Sequence, residues 1–177
     1  EQNSWHNETT FEHVTKIMEK LEEWIHNIPL DVKKYFDEKI ENNSRLDLLK
    51  IIILLHDIGK TKTQINNDDG TTSFPDHEKS SFQLAPALLI KFNITSKERE
   101  YILPLIRDHY LPHQAFKDSL EETDKNFISL KNSFPNIFLE LVVFGMLDTQ
   151  GSKLSEKSPE NFKTRMEKYN EILSEVK

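Results

Sequence analysis

The amino-acid sequence predicts an all-α fold arranged as a single compact helical bundle. Three observations carry that reading. The 177 residues include only 4 glycines and 7 prolines, too few turn residues for a many-stranded sandwich. Apolar residues recur at helical spacing, most clearly Phe11, Val14, Ile17, Met18, Leu21, Trp24 and Ile25. Helix-start signals recur as well. Thr9 with Glu12 and Thr95 with Glu98 have capping-box spacing, and Ser158-Pro159-Glu160 sets a cap ahead of a proline at the first helical position. The hydrophobic share is 36 % and the charged share 30 %, as in a soluble globular protein with a real core. The whole chain, 1–177, reads as one domain, with its core over about 5–151 and a C-terminal helix over about 159–176.

In chain order, the first helix begins near Thr9 and closes before Pro29, with His13 at the edge of its apolar stripe. A short helix is expected from Val32 to Ile40, interrupted by Asn42 and Asn43, with Ser44 capping the next. Leu46 to Leu55 is almost wholly apolar, broken by Asp47 and Lys50. Such a segment is a buried helix or a buried strand; its leucines and the Ser44 cap favour helix. It ends at His56-Asp57-Ile58-Gly59-Lys60. Residues 61–75 read as a loop with a turn at Asp68-Asp69-Gly70. Asp76 is placed to cap a helix from His77 to about Lys91, kinked at Pro86. The helix opened by Thr95 meets a kink or break at Pro104, and His109 lies in it or just beyond. Residues 111–121 read as loop, and a helix follows from about Glu122 to Lys131. Asn136 to Gln150 is strongly apolar and Gly151 is placed to end it. The last helix is amphipathic, its lysines and glutamates forming a solvated face. There is no internal repeat and no low-complexity segment.

Cysteine is absent, so disulfides and thiolate metal sites are excluded and any metal must be held by His, Asp or Glu. The expected location is cytoplasmic. The net charge of −7 and the lack of a long basic run argue against an extended nucleic-acid platform. A nucleotide, or one end of an RNA, in a locally positive pocket is still open. The longest uninterrupted apolar run is Ile51 to Leu55, far below the roughly 20 residues that span a membrane. The chain begins with Glu rather than Met, as an excised domain or processed product would, and its start does not resemble a signal peptide.

Asp57 and Asp148 each stand at the end of an apolar helix. A carboxylate there meets the negative end of the helix dipole, and burial adds a desolvation cost. A divalent cation between the two acids reverses that problem. His13, His56, His77, His109 and His113 supply imidazoles. Imidazole with carboxylate suits Zn, Fe, Mn, Ni or Co, and several carboxylates admit Mg.

The order is a single His13, the pair His56-Asp57 within His56-Asp57-Ile58-Gly59-Lys60, then His77, His109 and a late Asp148. It resembles the HD-domain superfamily of metal-dependent phosphohydrolases. Phe74-Pro75-Asp76-His77-Glu78 and Met146-Leu147-Asp148-Thr149-Gln150-Gly151 are similar to that family's later segments. Trp5-His6-Asn7-Glu8 ahead of Glu12-His13 is similar to the opening of the HD domain fused to bacterial tRNA nucleotidyltransferases, which implies 2′,3′-cyclic phosphodiesterase and phosphatase activity. The resemblance implies an all-helical HD-domain bundle in which His13, His56, Asp57 and Asp148 bind a first metal. It also implies that His77 and His109 bind a second metal, with Asp57 as bridge, or contact the substrate phosphate. Two-metal members often carry a His after the fifth ligand, where Tyr110 stands here.

The expected chemistry is hydrolysis of phosphomonoesters or phosphodiesters of nucleotides, 2′,3′-cyclic nucleotides first, with one or two divalent ions. Asp57 orients the water, Lys60 reaches a non-bridging oxygen, and His77, His109 or His113 binds phosphate or protonates the leaving oxygen. The alternatives are a nucleoside 5′-phosphatase or hydrolase of hyperphosphorylated guanine nucleotides, and a non-catalytic metal-binding regulatory module. Lys60 as a solvated helix-end lysine, His113 as a loop residue and Arg107 in a surface ion pair are the plainer readings. His6 and His26 read as surface residues, and Trp5 and Trp24 as packing residues.

Overall fold

A computed structural model describes residues 9–176. Helix α1 (Thr10–Ile25) opens on the expected capping box: Thr9 Oγ1 accepts from the Glu12 amide, and Glu12 Oε2 accepts from the Thr9 amide. Its inner face is His13, Ile17 and Leu21. His13 is therefore inside the core rather than at the stripe's edge, and Phe11, counted in the stripe, is exposed. Helix α2 (Leu30–Asp37) buries Val32 and Phe36, whose ring meets Trp24 edge-on. Ser44 caps α3 (Arg45–Leu55) by accepting from the Asp47 amide. This segment is a helix and not a strand, buried against α1, α2, α6 (Ser96–Asp108) and α9 (Phe138–Gly151).

Residues 61–75 are more regular than the loop expected. They hold a single-turn helix α4 (Lys60–Thr63) and an antiparallel hairpin of β1 (Ile65–Asn66) with β2 (Thr72–Ser73), Ile65 opposite Ser73. Elements this short carry no periodic signal. Helix α5 (His77–Leu89) follows. Asp76 does not cap it as expected: its backbone is left-handed at φ 54° and its side chain accepts no cap hydrogen bond. Pro86 lies within α5 and Pro104 within α6, and neither ends its helix. The capping box of Thr95 and Glu98 forms as expected. Glu98 also accepts from the Asn42 and Asn43 amides, so α6 fixes the turn that launches α3.

The 111–121 loop is corrected by α7 (Leu111–Ala115), with Pro112 in its first turn. Helix α8 (Leu120–Ser133) is longer than expected at both ends; it starts earlier because Ser119 caps it by accepting from the Glu122 amide. Helix α9 is buried nearly all round, with Gly151 as its last residue. It packs on α1, α3, α6, α7 and α11 (Pro159–Ser174), and the short α10 (Leu154–Lys157) leads from it into α11. Glu140 of α9 is buried with its charge met by Arg45 Nη1 at 2.8 Å, Tyr35 Oη at 2.9 Å and the Tyr101 hydroxyl. That network ties α9 to α2, α3 and α6. Among the described residues no helix is long and apolar enough to cross a membrane.

Candidate metal centre

Five histidines reach one cavity from five helical elements, and three of them are aimed by the same device. His56 caps the end of α3, His77 opens α5 and His109 caps the end of α6. In each, ring Nδ1 faces the carbonyl three residues earlier: Ile53 O at 2.8 Å, Phe74 O at 3.0 Å and Ile106 O at 2.7 Å. A carbonyl only accepts, so Nδ1 carries the proton in all three rings. The neutral ring then presents the bare Nε2 inward, which is how a second hydrogen bond prepares a metal-binding histidine. At His56 and His109 a helix end favours the arrangement, because its last carbonyls have no helical partner, while for His77 the carbonyl comes from the segment just ahead of α5. His13 comes from the buried face of α1, with Nε2 2.8 Å from Asp148 Oδ1.

The carboxylates sit among these rings. Asp57 Oδ1 is 3.2 Å from His77 Nε2, and Asp57 Oδ2 is 3.3 Å from His56 Nε2 and 2.6 Å from Lys60 Nζ. Asp148, in the last turn of α9, meets His13 through Oδ1 and His113 Nε2 through Oδ2 at 2.8 Å. Burial works to raise both aspartate pKa values. The surrounding groups outweigh it: His56, His77 and Lys60 hold Asp57 well below the ordinary carboxylate range, and His113 and His13 do the same for Asp148. Burial pushes His13 and His77 down, but the facing carboxylates of Asp148 and Asp57 lift both above the ordinary imidazole value. His109 is driven by burial, with His56 beside it, down to about 3, so its ring is neutral at any ordinary pH.

The donor set fits a divalent cation. One ligand atom each from His13, His56 and Asp57 lies within 4.8 Å of the others, and the same is true of Asp57, His77 and His109. Asp57 belongs to both groups. Asp57 Oδ2 and Asp148 Oδ1 are buried and in charge contact, yet neither has an aligned hydrogen-bond donor. Each keeps a lone pair for a cation, and a buried carboxylate oxygen left so is otherwise costly.

A family model of the HD domain matches residues 10–143. The chain belongs to the HD-domain family. HD domains are typically metal-dependent hydrolases, and the buried His/Asp cluster of this one can hold such a metal. A comparison with curated proteins found no match. The segment Trp5-His6-Asn7-Glu8, on which the finer likeness to nucleotidyltransferase-fused HD domains rests, lies outside the described residues, as does His6 itself.

The residues expected to bind metal or substrate meet at this cavity of about 170 Å³: His13, His56, Asp57, Lys60, His77, His109, His113 and Asp148. Lys60 is not the solvated lysine of the plainer reading; it is buried on Asp57, its Nζ 5.5 Å above the Phe74 ring. His113 is not a free loop residue but part of α7, facing Asp148. Arg107 forms the ion pair with Asp108, at 2.6 Å, and is not among the residues lining the cavity. Phe74, Glu78 and Tyr110 also line it. Sequence reading gave Phe74 and Glu78 no role, and the only signal for either was adjacency to the His77 motif. A larger apolar groove of about 560 Å³ between α8, α9 and α11 has no histidine in its lining.

Proposed function

We propose that the chain is a phosphohydrolase acting on phosphomonoesters or phosphodiesters of nucleotides, and that it works as one domain. The observation that supports this best is the position of Asp57 in both ligand groups, beside a buried lysine. In this reading His13, His56, Asp57 and Asp148 hold one divalent ion. Asp57, His77 and His109 have the chemistry for a second. A cation held there supplies positive charge for the phosphoryl oxygens and lowers the pKa of a water.

The chain's own groups do the rest. Asp57 Oδ1 orients a water by accepting a hydrogen bond from it, and the proton that water loses as hydroxide forms passes to solvent. Lys60 Nζ donates to a non-bridging phosphoryl oxygen as charge grows there. Hydrolysis forms a bond from water oxygen to phosphorus and breaks the ester P–O bond; with only the first ion held, a protonated His77 is placed to give its proton to the departing oxygen. A cavity of about 170 Å³ admits a phosphoryl group but not a whole nucleotide, since ligand pockets that enclose a drug-sized molecule run to about 300–1,000 Å³. The nucleoside is therefore left at the mouth, where exposed phosphate ends and 2′,3′-cyclic phosphates are the substrates tried first.

The test is hydrolysis by metal-stripped protein after adding back Mg, Mn, Co, Ni or Zn singly. Substrates are bis-p-nitrophenyl phosphate, mononucleotides and 2′,3′-cyclic nucleotides. Metal-dependent turnover of the cyclic nucleotides supports the reading. A folded, metal-binding protein that turns over none of the panel refutes it in favour of a regulatory module.

A further inference from the structure

The region matched to the HD family ends at residue 143, before Asp148 and before all of α11. Helix α11 nevertheless reaches the centre. Arg165 Nη1 lies 3.5 Å from His113 Nδ1. A guanidinium has only donors, so this contact, at the long end of hydrogen-bond distance, favours His113 Nδ1 as acceptor and the ring proton on Nε2. That tautomer is opposite to the one imposed on His56, His77 and His109 by backbone carbonyls. Its Nε2 lies 2.8 Å from Asp148 Oδ2, a charge contact not aligned as a hydrogen bond, and Asp148 Oδ1 is left toward His13.

Arg165 is held for this task. Its Nε donates to Asn161 Oδ1 at 2.9 Å, and its guanidinium lies 4.6 Å over the Phe116 ring. It does not line the cavity, so it does not meet substrate there. One turn on, Tyr169 is fully buried against α9. The approach is close enough that a Cβ on Gly145 would fall 2.8 Å from the Tyr169 hydroxyl and 2.6 Å from Pro112 Cβ. Helix α11 is thus seated on the segments of α7 and α9 that carry His113 and Asp148.

We propose that Arg165 is a positioning residue of the metal centre, keeping the His113 ring proton on Nε2 against the Asp148 carboxylate, so that the C-terminal helix is part of the site. His113 is then neither a metal ligand through Nε2 nor a proton carrier to substrate. This inference rests on the metal-centre reading of Asp148. Loss of an outer partner of a ligand typically weakens metal binding about 10–100-fold.

Two measurements test it. The first is ¹⁵N–¹H NMR of the histidine rings in the metal-free native protein at mildly alkaline pH. His113 is expected with a proton on Nε2 and none on Nδ1; a proton on Nδ1 overturns the proposal. The second is calorimetric Mn²⁺ affinity of Arg165→Met, which keeps the stem on Phe116, and of Arg165→Lys, which keeps a charged donor. Arg165→Met is expected to bind Mn²⁺ about 10-fold more weakly, the low end because Arg165 acts through His113, with its His113 tautomer mixed, and Arg165→Lys to recover part of the loss. A folded Arg165→Met with native affinity and native tautomer overturns it. If Arg165→Met does not fold, the tautomer of the native protein decides. If the native protein binds no Mn²⁺, the metal reading fails by itself, while the tautomer still tests the link from Arg165 to His113.

Discussion

Gly59 stands between Asp57 and Lys60 on one side and the start of α5 on the other. A Cβ added there falls 2.1 Å from the His77 carbonyl oxygen, 2.5 Å from the Ser81 amide nitrogen and 2.8 Å from Ser80 Cβ. Two of the three obstacles are backbone, so no side-chain rotation relieves them. Bringing the first contact to 3.0 Å, the shortest that real Cβ atoms tolerate, needs a separation of at least 0.9 Å. The shift must carry away the first turn of α5, which holds His77, and stretch the buried hydrogen bond from the Gly59 amide to Ser81 Oγ, now 2.9 Å. Overpacking of this kind costs about 1–3 kcal/mol, or about 2–12 °C in Tm for a domain of this size. The functional loss is larger, because His77 leaves its place 3.2 Å from Asp57, and a misplacement of about 1 Å can cost about 100-fold in rate. Gly59→Ala is therefore expected to fold, to keep the ion held by His13, His56, Asp57 and Asp148, and to lose binding at Asp57, His77 and His109. Thermal melting with Mn²⁺ calorimetry and phosphodiester turnover would show this. A Gly59→Ala protein with native Tm, native stoichiometry and turnover within about twofold would refute the packing argument.

Further outcomes follow from single contacts. Asp57→Ala and His56→Ala should lose metal and hydrolysis together, whereas Lys60→Ala should keep metal and lose rate; full activity in Lys60→Ala removes that lysine from the mechanism. Arg45→Met leaves Glu140 buried with two tyrosine hydroxyls, so about 3 kcal/mol of stability should go, the low end for a broken buried pair, as read from urea unfolding. In the metal-free protein, the raised pKa values of His13 and His77 mean that their pairs stabilise fully below about pH 6.5 and fade as pH rises through the raised folded values. The depressed values of Asp57 and Asp148 mean that their contribution is present above the ordinary carboxylate range and fades as pH falls through the lowered ones. Urea midpoints against pH should then plateau between those limits and decline on both sides. A divalent ion competes with the protons on His13 and His77, so its stabilisation, about 2.7 kcal/mol at 100 times Kd, should grow with pH across the upper window; a metal effect that shrinks there contradicts the ligand set.

The residues that line the cavity were legible because His and Asp in such an order leave marks in sequence. His56-Asp57 follows a buried helix, and His77 and His109 stand at helix ends where caps and periodicity locate them. The helices were legible for the same reason, through Thr9, Ser44 and Thr95 and the apolar periods behind them. What escaped was short or depended on packing. Helix α4, the hairpin and α7 are too brief for a period. The left-handed Asp76 looks like an ordinary cap, because Asp serves either role. Arg165 looks like a solvated cation on a polar stretch, and only the seating of α11 half-buries it. The inverted tautomer of His113 depends on a partner 52 residues away, which no local pattern reveals.

The most direct test of the metal centre is anomalous diffraction from crystals equilibrated with Mn²⁺. A peak within coordination distance of His13, His56, Asp57 and Asp148 is predicted, with a second beside Asp57, His77 and His109 at higher Mn²⁺. A fully ordered cavity with no peak near Asp57, or peaks only on surface carboxylates, would contradict it.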